Sequence, residues 1–78
     1  MLITYDKDAD AVYLHFDPEN ATKFGVVKKT IGDYPIHLDF TKEGQLFGVE
    51  ILEASTLLDI NKLLKTNFED ITGKPVKD

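Results

Sequence analysis

Across residues 11–16 the side chains alternate, with Val12, Leu14 and Phe16 on one side and Ala11, Tyr13 and His15 on the other. A period of two belongs to a strand with one covered face and one wet face. The same period returns at Ile36, Leu38 and Phe40, interleaved with His37 and Asp39, and the run 46–52 follows closely. Such segments commit a chain to a sheet. Residues 2–5 add a shorter β-favouring run, stopped by Asp6-Lys7-Asp8-Ala9-Asp10, and Asp17-Pro18-Glu19-Asn20 breaks the second strand. A third strand is expected over 24–31, where Gly25 and the pair Lys28-Lys29 mark an edge.

The hydrophobic pattern also predicts how strands four and five pair. With Thr41-Lys42-Glu43-Gly44 as a hairpin loop, Phe40 faces Gln45, Leu38 meets Phe47 and Ile36 meets Val49, so the apolar sides coincide. That register sets His37 beside Gly48 and Glu50 near Pro35. After Ala54-Ser55, the run Thr56-Leu57-Leu58-Asp59 reads as a capping box, opening a helix whose stripe Leu57, Ile60, Leu63 and Leu64 covers the sheet. The fold class predicted is α+β, an antiparallel sheet of about five strands in meanders and hairpins with one C-terminal helix packed on one face. Residues 1–67 form this domain and 68–78 a tail, in which Phe68 and Ile71 are the residues suited to docking.

A chain of 78 residues holds one core at most, and a core of that size gives little net stability without reinforcement. Cysteine is absent, so disulfides and thiolate metal sites are excluded, and only His15 and His37 offer imidazole. Self-association, with a dimer favoured, is the remaining common device. Fourteen acidic residues against nine lysines give a formal charge of −5, and arginine is missing altogether. An acidic surface without guanidinium groups is a poor match for nucleic acid and a better one for a basic protein. No apolar run approaches membrane-spanning length and no leader is visible at Met1, so a cytoplasmic protein with no membrane partner is expected.

Three features invite a chemical reading. Asp6, Asp8 and Asp10 match the opening of an EF-hand loop, but Ala11 stands where its glycine belongs, and aspartates bonding to nearby backbone donors account for the pattern. His15 and His37 fall on the polar side of their strands with Tyr13, Asp39 and Glu50, a patch with the donors for a metal or a general base. Alternation places polar residues on any solvated face, and neither a nucleophile nor a full ligand set accompanies them. Ser55 and Thr56 read as cap residues. No catalytic residue, cofactor or resident metal is assigned. Tyr13, Leu46 and Phe24 would leave apolar area on the polar face, a centre for a protein contact.

The strings Ile3-Thr4-Tyr5-Asp6, Ala9-Asp10-Ala11-Val12-Tyr13-Leu14 and 44–55 (Gly44-Gln45-Leu46-Phe47-Gly48-Val49-Glu50-Ile51-Leu52-Glu53-Ala54-Ser55) resemble the YuzE-like family, domain of unknown function 2283. The likeness runs from residue 2 to about residue 58. It departs at Phe47, where the family pattern often carries a smaller apolar residue, and in the longer C-terminal part. The resemblance implies a compact antiparallel sheet with a helix and no established activity. Some similar domains are thought to neutralise small ribonuclease-like toxins encoded beside them.

Two functional expectations follow. The first is a small non-enzymatic protein-binding module, an antitoxin-like partner of a small basic ribonuclease-like toxin, contacting it through Tyr13, His15, His37, Asp39, Leu46 and Glu50. The alternative is a small homo-oligomer that binds a metal ion or metabolite on the same polar sheet face.

Overall fold

In the computed structural model, which describes residues 1–21 and 23–66 with the side chains of 64–66 excepted, the chain forms one open five-stranded antiparallel sheet and two short helices. The strands are β1 (Leu2–Asp6), β2 (Ala11–His15), β3 (Val27–Ile31), β4 (Ile36–Thr41) and β5 (Leu46–Leu52), and the helices are α1 (Ala54–Leu57) and α2 (Ile60–Thr66). Their order across the sheet is β1-β2-β5-β4-β3. The first hairpin therefore lies against the last strand of the β3-β4-β5 meander, a Greek-key arrangement with β5 at its centre. The predicted tail 68–78, with Phe68 and Ile71, and the boundary at 67 lie outside the described residues.

Strands β2 and β4, and β5 from Gly48 onward, keep the sides predicted by alternation. Ile3 and Tyr5, Val12 and Leu14, Val49 and Ile51, and Ile36 and Leu38 stand opposite one another across successive pairs and form one apolar side. The opposite side carries Thr4, Tyr13, His15, Gly48, Glu50, His37, Asp39 and Thr30. Among the described residues only Val12, Phe47 and Ala54 are buried hydrophobics.

The hairpin register departs from expectation by two residues. Ile36 pairs with Ile51, Leu38 with Val49 and Asp39 with Gly48, while Phe40 pairs with Leu46. The causes are local. The loop holds three residues, closed by Thr41 N–H to Gln45 O at 2.8 Å and Gly44 N–H to Thr41 O at 2.9 Å, with Gly44 at φ 84°. A turn followed by a left-handed residue is a standard three-residue hairpin. A bulge between Asp39 and Phe40 then adds one further step by leaving Phe47 without a partner on β4. A shift of two preserves which side each residue faces, so the apolar match survives. His37 consequently stands beside Glu50, not Gly48, and the backbone N–H of Leu52 reaches Pro35 O at 2.8 Å in place of the predicted Glu50 contact.

Two other expectations are corrected. β3 begins at Val27 and not at residue 24, because Phe24 and Gly25 form a turn with Gly25 at φ 75°. The single helix opening at Thr56 is two helices, interrupted at Leu58, whose backbone is extended (φ −129°, ψ 150°). The Thr56 hydroxyl donates to Glu53 O at 2.8 Å instead of capping. Asp59 caps α2, its carboxylate accepting the Lys62 N–H at 3.1 Å. Aspartate outranks threonine as an N-cap, and it lies where the second helix starts.

Candidate functional site

The polar side of the sheet is a set of paired side chains. Tyr13, on β2, reaches across Gly48 of β5 to donate its hydroxyl to Asp39 Oδ2 at 2.6 Å. Thr30 on β3 donates to Asp39 Oδ1 at 2.7 Å, so both carboxylate oxygens are engaged. Gly48 makes the crossing possible. A β-carbon there would lie 2.3 Å from the Tyr13 ring, inside any tolerable contact. Burial first, and then the Asp39 carboxylate, push the Tyr13 phenol well above its ordinary pKa, so it remains a donor.

The histidines have separate partners. His37 Nδ1 lies 3.1 Å from Glu50 Oε1, as their pairing across β4 and β5 dictates. His15 packs edge-on against Tyr13, ring centroids 4.6 Å apart, and its Nε2 lies 3.0 Å from Thr4 Oγ1. Its Nδ1 is buried with no hydrogen-bond partner. A neutral ring that donates from Nε2 leaves only a lone pair there, the cheaper orphan, whereas protonation would bury an unpaired N–H. Burial accordingly lowers the His15 pKa.

Five of the six predicted contact residues, Tyr13, His15, His37, Asp39 and Glu50, thus share one face. Leu46 does not join them. The bulge sets it opposite Phe40, on the apolar side, where it is 39% exposed. Among the described residues no group of three or more histidines and carboxylates lies close enough to hold a metal ion. Each Asp39 oxygen already accepts a hydroxyl and the unpartnered nitrogen of His15 is buried, so the geometry serves cohesion of the strands better than ligation.

A second cluster joins the start of the chain to the first helix. Asp6 accepts the N–H groups of Asp8 and Ala9 at 3.0 and 3.1 Å, a self-bonded turn as the aspartate spacing predicts. Asp10 has a longer reach. With its backbone at φ 51°, it accepts the Tyr5 hydroxyl at 2.8 Å, the Ser55 N–H at 3.0 Å and the Ser55 hydroxyl at 2.7 Å, while its carbonyl accepts the Ala54 N–H at 2.9 Å. It therefore caps α1 from outside, supplying acceptors to first-turn donors that Glu53, in a left-handed conformation, leaves free. The Ser55 hydroxyl, and next that of Tyr5, hold the Asp10 pKa below its ordinary value. Sequence reasoning misses this link, since local bonding explained Asp10 and capping explained Ser55; the one signal was two unattached cap-type residues.

Beyond β5 lies a third group. Tyr34 and Ile36 are exposed at the start of β4 and Leu57 on α1, at 60%, 44% and 51%. Tyr34 donates its hydroxyl to Glu53, which ties the segment before β4 to the one after β5. Asp33 and Glu53 belong to the same end of the sheet, and α1, which carries Leu57, directly follows Glu53.

Among the described residues no helix is long and apolar enough to cross a membrane. No curated protein matches the chain, and no solved structure does. The profile of one family matches residues 2–55, a span that closes on the Ser55 held by Asp10. The chain belongs to that family, described as a protein of unknown function (DUF2283).

Proposed function

We propose that this chain is a small protein-binding module that covers a partner's surface without chemistry of its own, and that the partner is basic, of the small ribonuclease-like toxin kind. The observation that carries the reading is the end of the sheet where exposed Tyr34 and Ile36 lie beside Asp33 and Glu53, with exposed Leu57 on the helix that directly follows Glu53. An apolar centre with a rim of one charge is the anatomy of a docking patch, and the rim's sign selects a cationic partner. The chain's net charge of −5 would steer the same encounter. This reading moves the contact from the polar sheet face to the neighbouring end, because the polar-face side chains are spent on one another.

The test is co-expression with a small basic ribonuclease-like toxin, one encoded beside the chain being the first choice, followed by capture of the complex and by growth rescue. Leu57→Lys and Asp33→Lys, both at exposed positions, are expected to weaken capture at least about tenfold. No complex and no rescue with the unaltered chain would sink the antitoxin reading.

A further inference from the structure

The two edges of the sheet are built differently. β3 carries Lys28 and Lys29, every residue of it is exposed, and its pairing with β4 shifts between Val27 and Lys29. Lysines and a bulge are the usual protections of an edge strand against a second chain. β1 has neither. Its five residues pair with β2 in unbroken register, and they include no lysine, proline or glycine. Among the described residues no strand pairs with its outer row of backbone donors and acceptors, since β1 ends the sheet.

β1 also suits pairing with a copy of itself. About a two-fold axis at Thr4, Ile3 of one copy stands opposite Tyr5 of the other on the apolar side. Thr4 faces Thr4, and the strand's one charge, Asp6, is opposite Leu2, so the two carboxylates lie at opposite ends of the seam. The same operation on β3 about Lys29 sets lysine against lysine, which is destabilising. We infer that the chain forms a two-fold dimer through β1, making one ten-stranded sheet whose apolar side runs without interruption from Ile3 and Tyr5 of one copy into those of the other. Leu2, 44% exposed in the single chain, then gains a cross-strand neighbour. A five-residue seam is small beside standard interfaces, so the association is weak, with a dissociation constant on the order of micromolar or higher.

This inference does not depend on the partner-binding reading, because its test uses the chain alone. Sedimentation equilibrium of the full chain over a concentration series should show a monomer–dimer equilibrium. Thr4→Lys places two ammonium groups face to face and should abolish the dimer, although it lowers the net charge and so reduces overall repulsion. Thr4→Glu should do the same, and an equimolar mixture of the two variants should regain the dimer mass. Leu2→Lys, set opposite the other copy's Asp6, should tighten association severalfold. Circular dichroism and a cooperative thermal transition, both recorded at a dilution where the unaltered chain is also monomeric, establish that the variants remain folded. A chain that stays monomeric at millimolar concentration, a Thr4→Lys variant that associates normally, or a Lys29→Glu variant that loses the dimer would each overturn the seam.

Discussion

Gly48 is the residue on which the polar face depends, and its role is a matter of space. The Tyr13 ring occupies the place of its missing side chain, and the Tyr13 hydroxyl can then reach Asp39 two strands away. Gly48→Ala is expected to destabilise the fold by about 1–3 kcal/mol, as over-packing does, measured by urea unfolding. In a Tyr13→Ala background the same change should cost much less, and equal costs in both backgrounds would dismiss the crossing as the cause. Alternation already places Tyr13, His15, His37, Asp39 and Glu50 on one side, and that is where they lie. Who bonds to whom was not legible, because a partner across the sheet depends on register, and a slip of two residues exchanges every partner while leaving every face unchanged. Phe47 shows the limit well: its apolar character is plain, but nothing in it announces the bulge that leaves it without a partner on β4 and carries Leu46 to the other side.

At the scale of elements, the helices draw their start signals from two aspartates, one close at hand and one 45 residues distant. Asp59 caps α2 directly, so Asp59→Ala should cost about 1 kcal/mol and reduce helical circular dichroism; no loss of either would count against the cap. α1 has only four residues, too short to persist alone, and its donors are met by Asp10. Strand β5 was legible to its ends, being bounded by a glycine turn and by Glu53-Ala54. The helix was legible as helical character but not as two pieces. Thr56-Leu57-Leu58-Asp59 satisfies the capping pattern, and the competing cap at Asp59 together with the support from Asp10 appears only when distant segments meet.

For the whole molecule, acid should act in two stages, each with its own residue. The His15 pKa is lowered in the fold, so below the ordinary imidazole value of about 6.5 the unfolded chain holds a proton the native state refuses. Stability therefore falls as pH drops through that range. Asp10, also lowered, adds stability present above the ordinary carboxylate value of about 3.9 and lost as pH falls through its folded value. Urea midpoints measured from about pH 8 to pH 3 should lose the upper step in His15→Gln and the lower step in Asp10→Asn. A profile identical to that of the unaltered chain in either variant would remove that residue from the account.

The position of β5 has a consequence for how the chain is made. It is the central strand, joining the β1-β2 hairpin to the β3-β4 pair, and it is also the last of the described strands in the sequence. A chain emerging from the ribosome therefore presents two strand pairs with no shared neighbour until residue 52 is clear of the exit tunnel. The five-stranded sheet cannot close before β5 is available, so the two strand pairs have to wait for the strand that joins them and are not added to a growing sheet one by one.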